Sequence, residues 1–355
     1  MDMVTHLSNY ALLEGWLGYL QEKVPTLVGD TKDRILVCAK EQNLLQREQY
    51  FCLECPLQGP NGMDFALQYG TEDFLELNTF SASRDSHFNR FFQLYGQIVG
   101  PGKHFFLELD TATGSGNQAA VFLNVDKQTA EAVVKRMLSW QAEARRLPAV
   151  LEVLRGGTAL GLLPSYVGFM YSRLNAPLRL SFGITEEVLR LPDRYDNLAF
   201  FVQDLEFSKE SATLRKMLEK GHKQVRELMS NNLLMKDLIL LSQFDFLDCF
   251  LDIDIMPDGN AGSVFGVELM PCAHSVEQQQ KMLHSREFHG FLKQLQEWDV
   301  VDERIKTFAD CVFYSPLPQV LGRQEYLFSL ISHFKLRYKH NKRLPAKVYL
   351  QGNRG

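Results

Sequence analysis

The sequence predicts an α+β protein: ten antiparallel strands closed into a barrel, built from five ββαα-like units with their helices outside. Three observations carry this prediction. Five stretches of period-two alternation fold back on themselves as hairpins, with turns centred near residues 60, 115, 174, 258 and 342. Segments of helical periodicity separate the hairpins. The polar strand faces hold aromatics and charges of both signs, which suits an enclosed interior better than a solvated surface. An open antiparallel sheet with helices on one face, in two domains, is the alternative; the barrel reading makes residues 1–355 a single domain.

Each unit follows from its residues. The first forty-five or so read as helix, through the stripe of Leu13, Trp16, Leu17 and Leu20 and a second segment around Arg34 to Leu45. In the first hairpin Phe51, Leu53, Cys55 and Leu57 alternate with Cys52 and Glu54. The chain turns at Gly59-Pro60-Asn61-Gly62 and returns through Met63, Phe65, Leu67 and Tyr69 against Asp64, Ala66 and Gln68. A helix from Ser86 to Gln97 presents Phe88, Phe91, Phe92 and Tyr95.

The second hairpin sets Phe105, Leu107 and Leu109 opposite His104, Phe106, Glu108 and Asp110, with its tip at Thr113 to Asn117 and its return at Val121, Leu123 and Val125. A helix from Gln128 to Arg146 stops before Pro148, and Arg155-Gly156-Gly157 breaks the chain. The third hairpin runs from Tyr166 to Tyr171 and from Pro177 to Phe182, around Leu174 to Ala176. A helical stretch from Ala212 to Leu241, broken at Asn231-Asn232, leads to the fourth. There Leu251, Ile253 and Ile255 alternate with Asp252 and Asp254, and Phe265, Val267 and Leu269 with Glu268.

Helices at Ser275 to Trp298, Glu303 to Ala309 and Gln324 to Leu330 deliver the chain to its last hairpin, His333 to His340 and Leu344 to Leu350 around Asn341-Lys342-Arg343. Its alternation is the sharpest: Phe334, Leu336 and Tyr338 on one face, Lys335, Arg337 and Lys339 on the other.

Composition narrows the function. With 355 residues and 45% hydrophobic content there is ample material for a core. A net charge of -5 excludes a general nucleic-acid binder, so any anion site is local. No signal-peptide pattern opens the chain and no apolar run approaches a membrane span, so the expected location is the cytosol. Cys52 and Cys55, three apart on a strand, point to opposite faces and cannot share a metal.

The arrangement resembles the ABBA aromatic prenyltransferases, barrels of five ββαα units with a solvated interior. The resemblance spans roughly Met1 to Gln351 and is one of topology and strand polarity. It implies transfer of an isoprenoid from an allylic diphosphate to an aromatic small molecule or a peptide side chain. It assigns the diphosphate to Arg179, Lys335, Arg337 and Lys347, and the aromatic shield to Tyr166, Tyr349 and Phe106, with Tyr171 and Tyr338 as further candidates. It makes Glu54, on the first barrel strand, the residue that orients or deprotonates the acceptor. No cofactor is required, Mg2+ is optional, and no metal site is implied. One departure stands out: Met63 to Tyr69 contains no basic residue, where indole- and peptide-modifying members carry one.

Other signals weigh less. Asp252, Asp254 and Glu268 offer oxygen ligands to a divalent cation, against the reading of hydrogen-bonded interior acids. The glycine-rich segments at Arg155 to Gly161 and Thr113 to Gly116 lack the lysine and spacing of a phosphate loop. The reading from a different functional class is a non-catalytic protein whose polar concave sheet face binds a peptide or protein.

Overall fold

The structure, a computed structural model, describes residues 9–29, 31–41, 50–60, 63–71, 94–109, 119–141, 143–171, 175–190, 197–199, 201–202, 232–317 and 324–354. The strands are β1 (Tyr50–Pro56), β2 (Asp64–Gly70), β3 (His104–Leu109), β4 (Ala119–Asn124), β5 (Leu163–Phe169), β6 (Leu178–Ile184), β7 (Leu247–Ile255), β8 (Ala261–Pro271), β9 (Phe313–Pro316), β10 (Tyr326–Lys339) and β11 (Lys342–Arg354). Hydrogen bonds order them β11-β1-β2-β3-β4-β5-β6-β7-β8-β10-β9, and β11 also pairs with β10. The ring therefore closes on ten strands, with β9 as an extra strand outside it, as the alternation predicted for all but β9. Closure removes the open edges that the alternative sheet would have carried.

The residue contacts cluster into two compact units. One comprises Met1–Phe122, Pro271–Lys335 and Pro345–Gly355; the other comprises Leu123–Met270 and Leu336–Leu344. In the first, the helix Asn9–Lys23 buries Leu12, Leu13, Trp16, Leu17 and Leu20. Trp16 stacks on Phe51 with ring centroids 6.1 Å apart, and its indole N–H donates to the Ser329 hydroxyl at 3.1 Å. A Cβ placed on Gly352 of β11 would lie 2.6 Å from the same ring, so only glycine lets the helix approach this closely. Farther along, Phe288 and Phe291 of the helix Arg286–Glu297, together with Phe308, surround Phe334 of β10. The apolar strand face is thus the helix face, and the polar face is the interior of the ring. Within the expected helix from Ser275 to Trp298 there are two: Ser285 accepts from the Phe288 N–H and caps a second one after Val276–Leu283.

In the second unit, β5, β6 and β7 run antiparallel with Tyr166 opposite Ser181 opposite Asp252, and Gly168 opposite Arg179 opposite Asp254. Asn232, where the sequence suggests a helix break, caps Leu233–Leu241 by accepting from the Met235 N–H. The Asp237 carboxylate of that helix is 1% exposed and accepts from the Tyr338 hydroxyl at 2.9 Å and from Arg343 at 2.6 and 2.7 Å. Tyr338 therefore faces a helix. The last turn is tighter than expected: His340 and Asn341 both adopt positive φ, β10 ends at Lys339 and β11 begins at Lys342. That is the two-residue geometry matched to strand twist.

Three expectations are corrected. Arg155-Gly156-Gly157 does not break the chain but lies inside the helix Leu147–Ala159, because a Cβ at Gly157 would sit 2.9 Å from the Phe182 ring and glycine admits β6 there. The helix expected to reach Arg146 ends at Trp140, and Pro148 occupies the first turn of the next helix, where its missing N–H costs nothing. Gln324 to Leu330 is strand from Tyr326 onward: Leu327, Ser329 and Ile331 are buried in alternation, a pattern hidden because Tyr326, Phe328 and Leu330 between them are also apolar. The expectations for Phe88, Phe91, Phe92, Asp110, Thr113 to Asn117, Leu174 and Ala212 to Asn231 lie outside the described residues.

Replacing Gly352 by Ala should lower the melting temperature through overpacking against Trp16, by about 1–3 kcal/mol in a urea titration. An unchanged denaturation midpoint would show that the helix Asn9–Lys23 yields without cost.

Candidate active site

The interior face of the first unit is built by register. Glu54 of β1 stands opposite Asp64 of β2 and Tyr349 of β11, and Lys347 is two residues from Tyr349 on the same face. Glu54 is 5% exposed, and its carboxylate accepts hydrogen bonds from the Lys347 ammonium on one oxygen and the Tyr349 hydroxyl on the other. Tyr349 is itself stacked on the His333 ring, with centroids 3.9 Å apart. A buried carboxylate held by two donors is fixed in place.

Continuing across β2 and β3, Ala66 lies opposite Cys52 and Glu108, and Gln68 opposite Tyr50 and Phe106. The Tyr50 and Phe106 rings are 5.8 Å apart, and His104 meets Phe106 edge-on. Burial, reinforced by the nearby Lys103 charge, pushes the His104 pKa below its usual value. Lys335 is buried at 4% exposure on β10. Cys52 and Cys55 are both buried, and Cys55 meets Met63 on the helix side; burial pushes its thiol well above the usual range.

The second unit has an interior cluster of its own. Arg179 donates to Asp254 through Nε at 2.8 Å and a terminal nitrogen at 3.1 Å, and stands 3.7 Å from Asp252. Ser181 donates to Asp252 at 2.5 Å. Burial opposes the Arg179 charge, but Asp254 and Asp252 outweigh it and raise the pKa well above normal. Burial and the Glu268 charge raise the Tyr166 phenol, against a hydrogen bond with Asn124. Burial raises Tyr171 likewise.

Glu54, Lys347 and Tyr349 are thus brought together, and Phe106 lies on the same interior face. Arg179 is met by two carboxylates, which sequence reasoning did not pair with it. Asp252 and Asp254 are committed to Ser181 and Arg179, and among the described residues no three of His, Cys, Asp and Glu are grouped to hold a metal ion. Arg337 follows Lys335 by two residues on β10, on the same side of the strand.

A closed ring of ten antiparallel strands with helices on its apolar face and a charged interior is the fold of the ABBA-type prenyltransferase barrel. Among solved structures the chain is similar to the prenyltransferase PriB in its apo form, with 11% identity over 98% of this chain and 96% of that one and a TM-score of 0.51. It is also similar to 5-dimethylallyl tryptophan synthase from Streptomyces coelicolor in complex with DMASPP and Trp, with 10% identity over 97% and 94% and a TM-score of 0.49. At 11% identity the likeness to PriB shows the fold alone. No protein-family model matches the sequence, and no curated protein matches it. No helix among the described residues is long and apolar enough to cross a membrane.

Breaking the Arg179 pair by Arg179→Met should cost about 3–5 kcal/mol of stability, because it strands buried carboxylates. Adding Asp254→Leu should restore most of that loss, read as urea midpoints. If the single variant unfolds like wild type, the pair does not hold β6 to β7.

Proposed function

We propose that this chain transfers an isoprenoid from an allylic diphosphate to an aromatic acceptor. The observation that carries the reading is Glu54: a buried carboxylate, fixed by Lys347 and Tyr349, on the interior face of a closed barrel. In the proposed reaction the carbon–oxygen bond of the donor breaks, diphosphate departs with the electron pair, and an allylic cation remains. A ring carbon of the acceptor bonds to that cation, and the ring proton or a polar hydrogen of the acceptor passes to Glu54.

The cation needs aromatic faces and no water, a role for Phe106 and Tyr349. The departing diphosphate needs positive charge, which Lys335 and Lys347 bring to the interior face. An ammonium has three donors, so Lys347 can hold Glu54 and an anion together. Arg179 is not assigned to the donor, since Asp252 and Asp254 already face it. Mg2+ adds countercharge where cations are few, and the assay therefore includes it as a variable.

The test is a thermal-shift titration with dimethylallyl thiolodiphosphate, followed by product detection with dimethylallyl diphosphate and a panel of indoles, naphthols and tyrosine- or tryptophan-containing peptides. At about a hundred times the dissociation constant, the donor should stabilise the fold by roughly 2.7 kcal/mol. Glu54→Gln should keep that shift and lose transfer by about 100-fold or more. No shift with dimethylallyl or geranyl donors, with or without Mg2+, would sink the reading and favour a peptide-binding role.

A further inference from the structure

Within the first unit, β10 slips its period once. Ser329 faces a helix, since its hydroxyl accepts from the Trp16 indole N–H. Phe334 faces helices too, surrounded by Phe288, Phe291 and Phe308. The two residues are an odd number of positions apart, and strict alternation would put them on opposite faces of the sheet. β10 is nonetheless one strand from Tyr326 to Lys339, so it bulges between them. Its pairing with β9 ends at Ser329. Just beyond, the buried Gln279 side chain takes the place of a neighbouring strand: it donates to the Ile331 carbonyl at 2.7 Å and accepts from the Ile331 N–H at 2.8 Å. The backbone of the irregular segment is therefore satisfied and held.

Bulges re-aim side chains, and this one aims His333. The His333 ring lies over Tyr349 with centroids 3.9 Å and planes 17° apart, and its Nδ1 is 3.1 Å from the Ser332 hydroxyl. Tyr349 in turn donates its hydroxyl to Glu54. The structure assigns His333 the role of a positioning residue: set by the bulge in β10, it holds the Tyr349 ring where the phenol meets the Glu54 carboxylate. The phenol oxygen lies on the axis of the second side-chain torsion, so the first torsion decides where it sits, and flat contact with His333 selects one well of that torsion. The consequence for transfer rests on the reading of Glu54 as proton acceptor; the positioning itself does not.

The experiment is a double-mutant cycle read by urea unfolding, which needs no transfer. With His333→Leu and Glu54→Gln, the double variant should lose less than the two single losses together, by about threefold or more in the unfolding constant. His333→Phe keeps a flat ring and should show no such coupling to Glu54→Gln. In a Tyr349→Phe background, where the stack remains and the hydroxyl is gone, the coupling of His333→Leu should vanish. Additive losses, the same coupling from His333→Phe, or a coupling that persists with Tyr349→Phe would each overturn the assignment. If His333→Leu does not fold, His333→Thr, non-planar and suited to a strand, takes its place. In the transfer assay His333→Leu should lower kcat about tenfold, the worth of one hydrogen bond, leave KM within about twofold, and be rescued by His333→Phe. An unchanged kcat would also overturn the assignment. A wild type that transfers nothing would sink the prenyltransferase reading, and the urea cycle would still decide the positioning.

Discussion

The pairing of β11 with both β1 and β10 is the constraint on which the rest depends. It closes ten strands into a ring, and closure turns the polar face of every strand into an interior. A carboxylate at Glu54 in an open sheet would be one more solvated acid. In the ring it is buried, and β11, the closing strand, supplies the two donors that hold it. The glycine at 352 belongs to the same strand and allows Trp16 to press against it, so closure and the packing of the first helix are set by one segment.

A buried polar interior has to balance its charges, and both units contain networks that do so. In the first, one carboxylate meets an ammonium and a phenol. In the second, two carboxylates meet one guanidinium and a hydroxyl, and on the helix side Asp237 meets Arg343 and Tyr338. These networks show why a row of cations on a strand does not by itself define an anion site. The partner of each cation decides how much positive charge is left for a ligand.

The strand faces were legible because alternation is local: each hairpin carries its own record of which side is greasy. Alternation put Glu54 on the polar side of its strand, and it was the resemblance to the ABBA aromatic prenyltransferases that singled it out there. The start of β10 was not legible, since Tyr326, Phe328 and Leu330 are apolar on the face where a polar residue would have marked the period. The helix from Leu147 was obscured by glycines whose purpose lies in another element, at Phe182.

Strand polarity, and with it the place of Glu54 on the polar side of β1, was therefore determined by the sequence alone, because it follows from periodicity within a dozen residues; the closure that turns that side into an interior was not. Partnership was decided only by the tertiary structure. That Arg179 is bound by Asp254, 75 residues away, and that Glu54 is held by Lys347 and Tyr349, nearly 300 residues away, both depend on which strands become neighbours. Register between distant strands arises from closure and packing of the whole ring, and no local pattern encodes it.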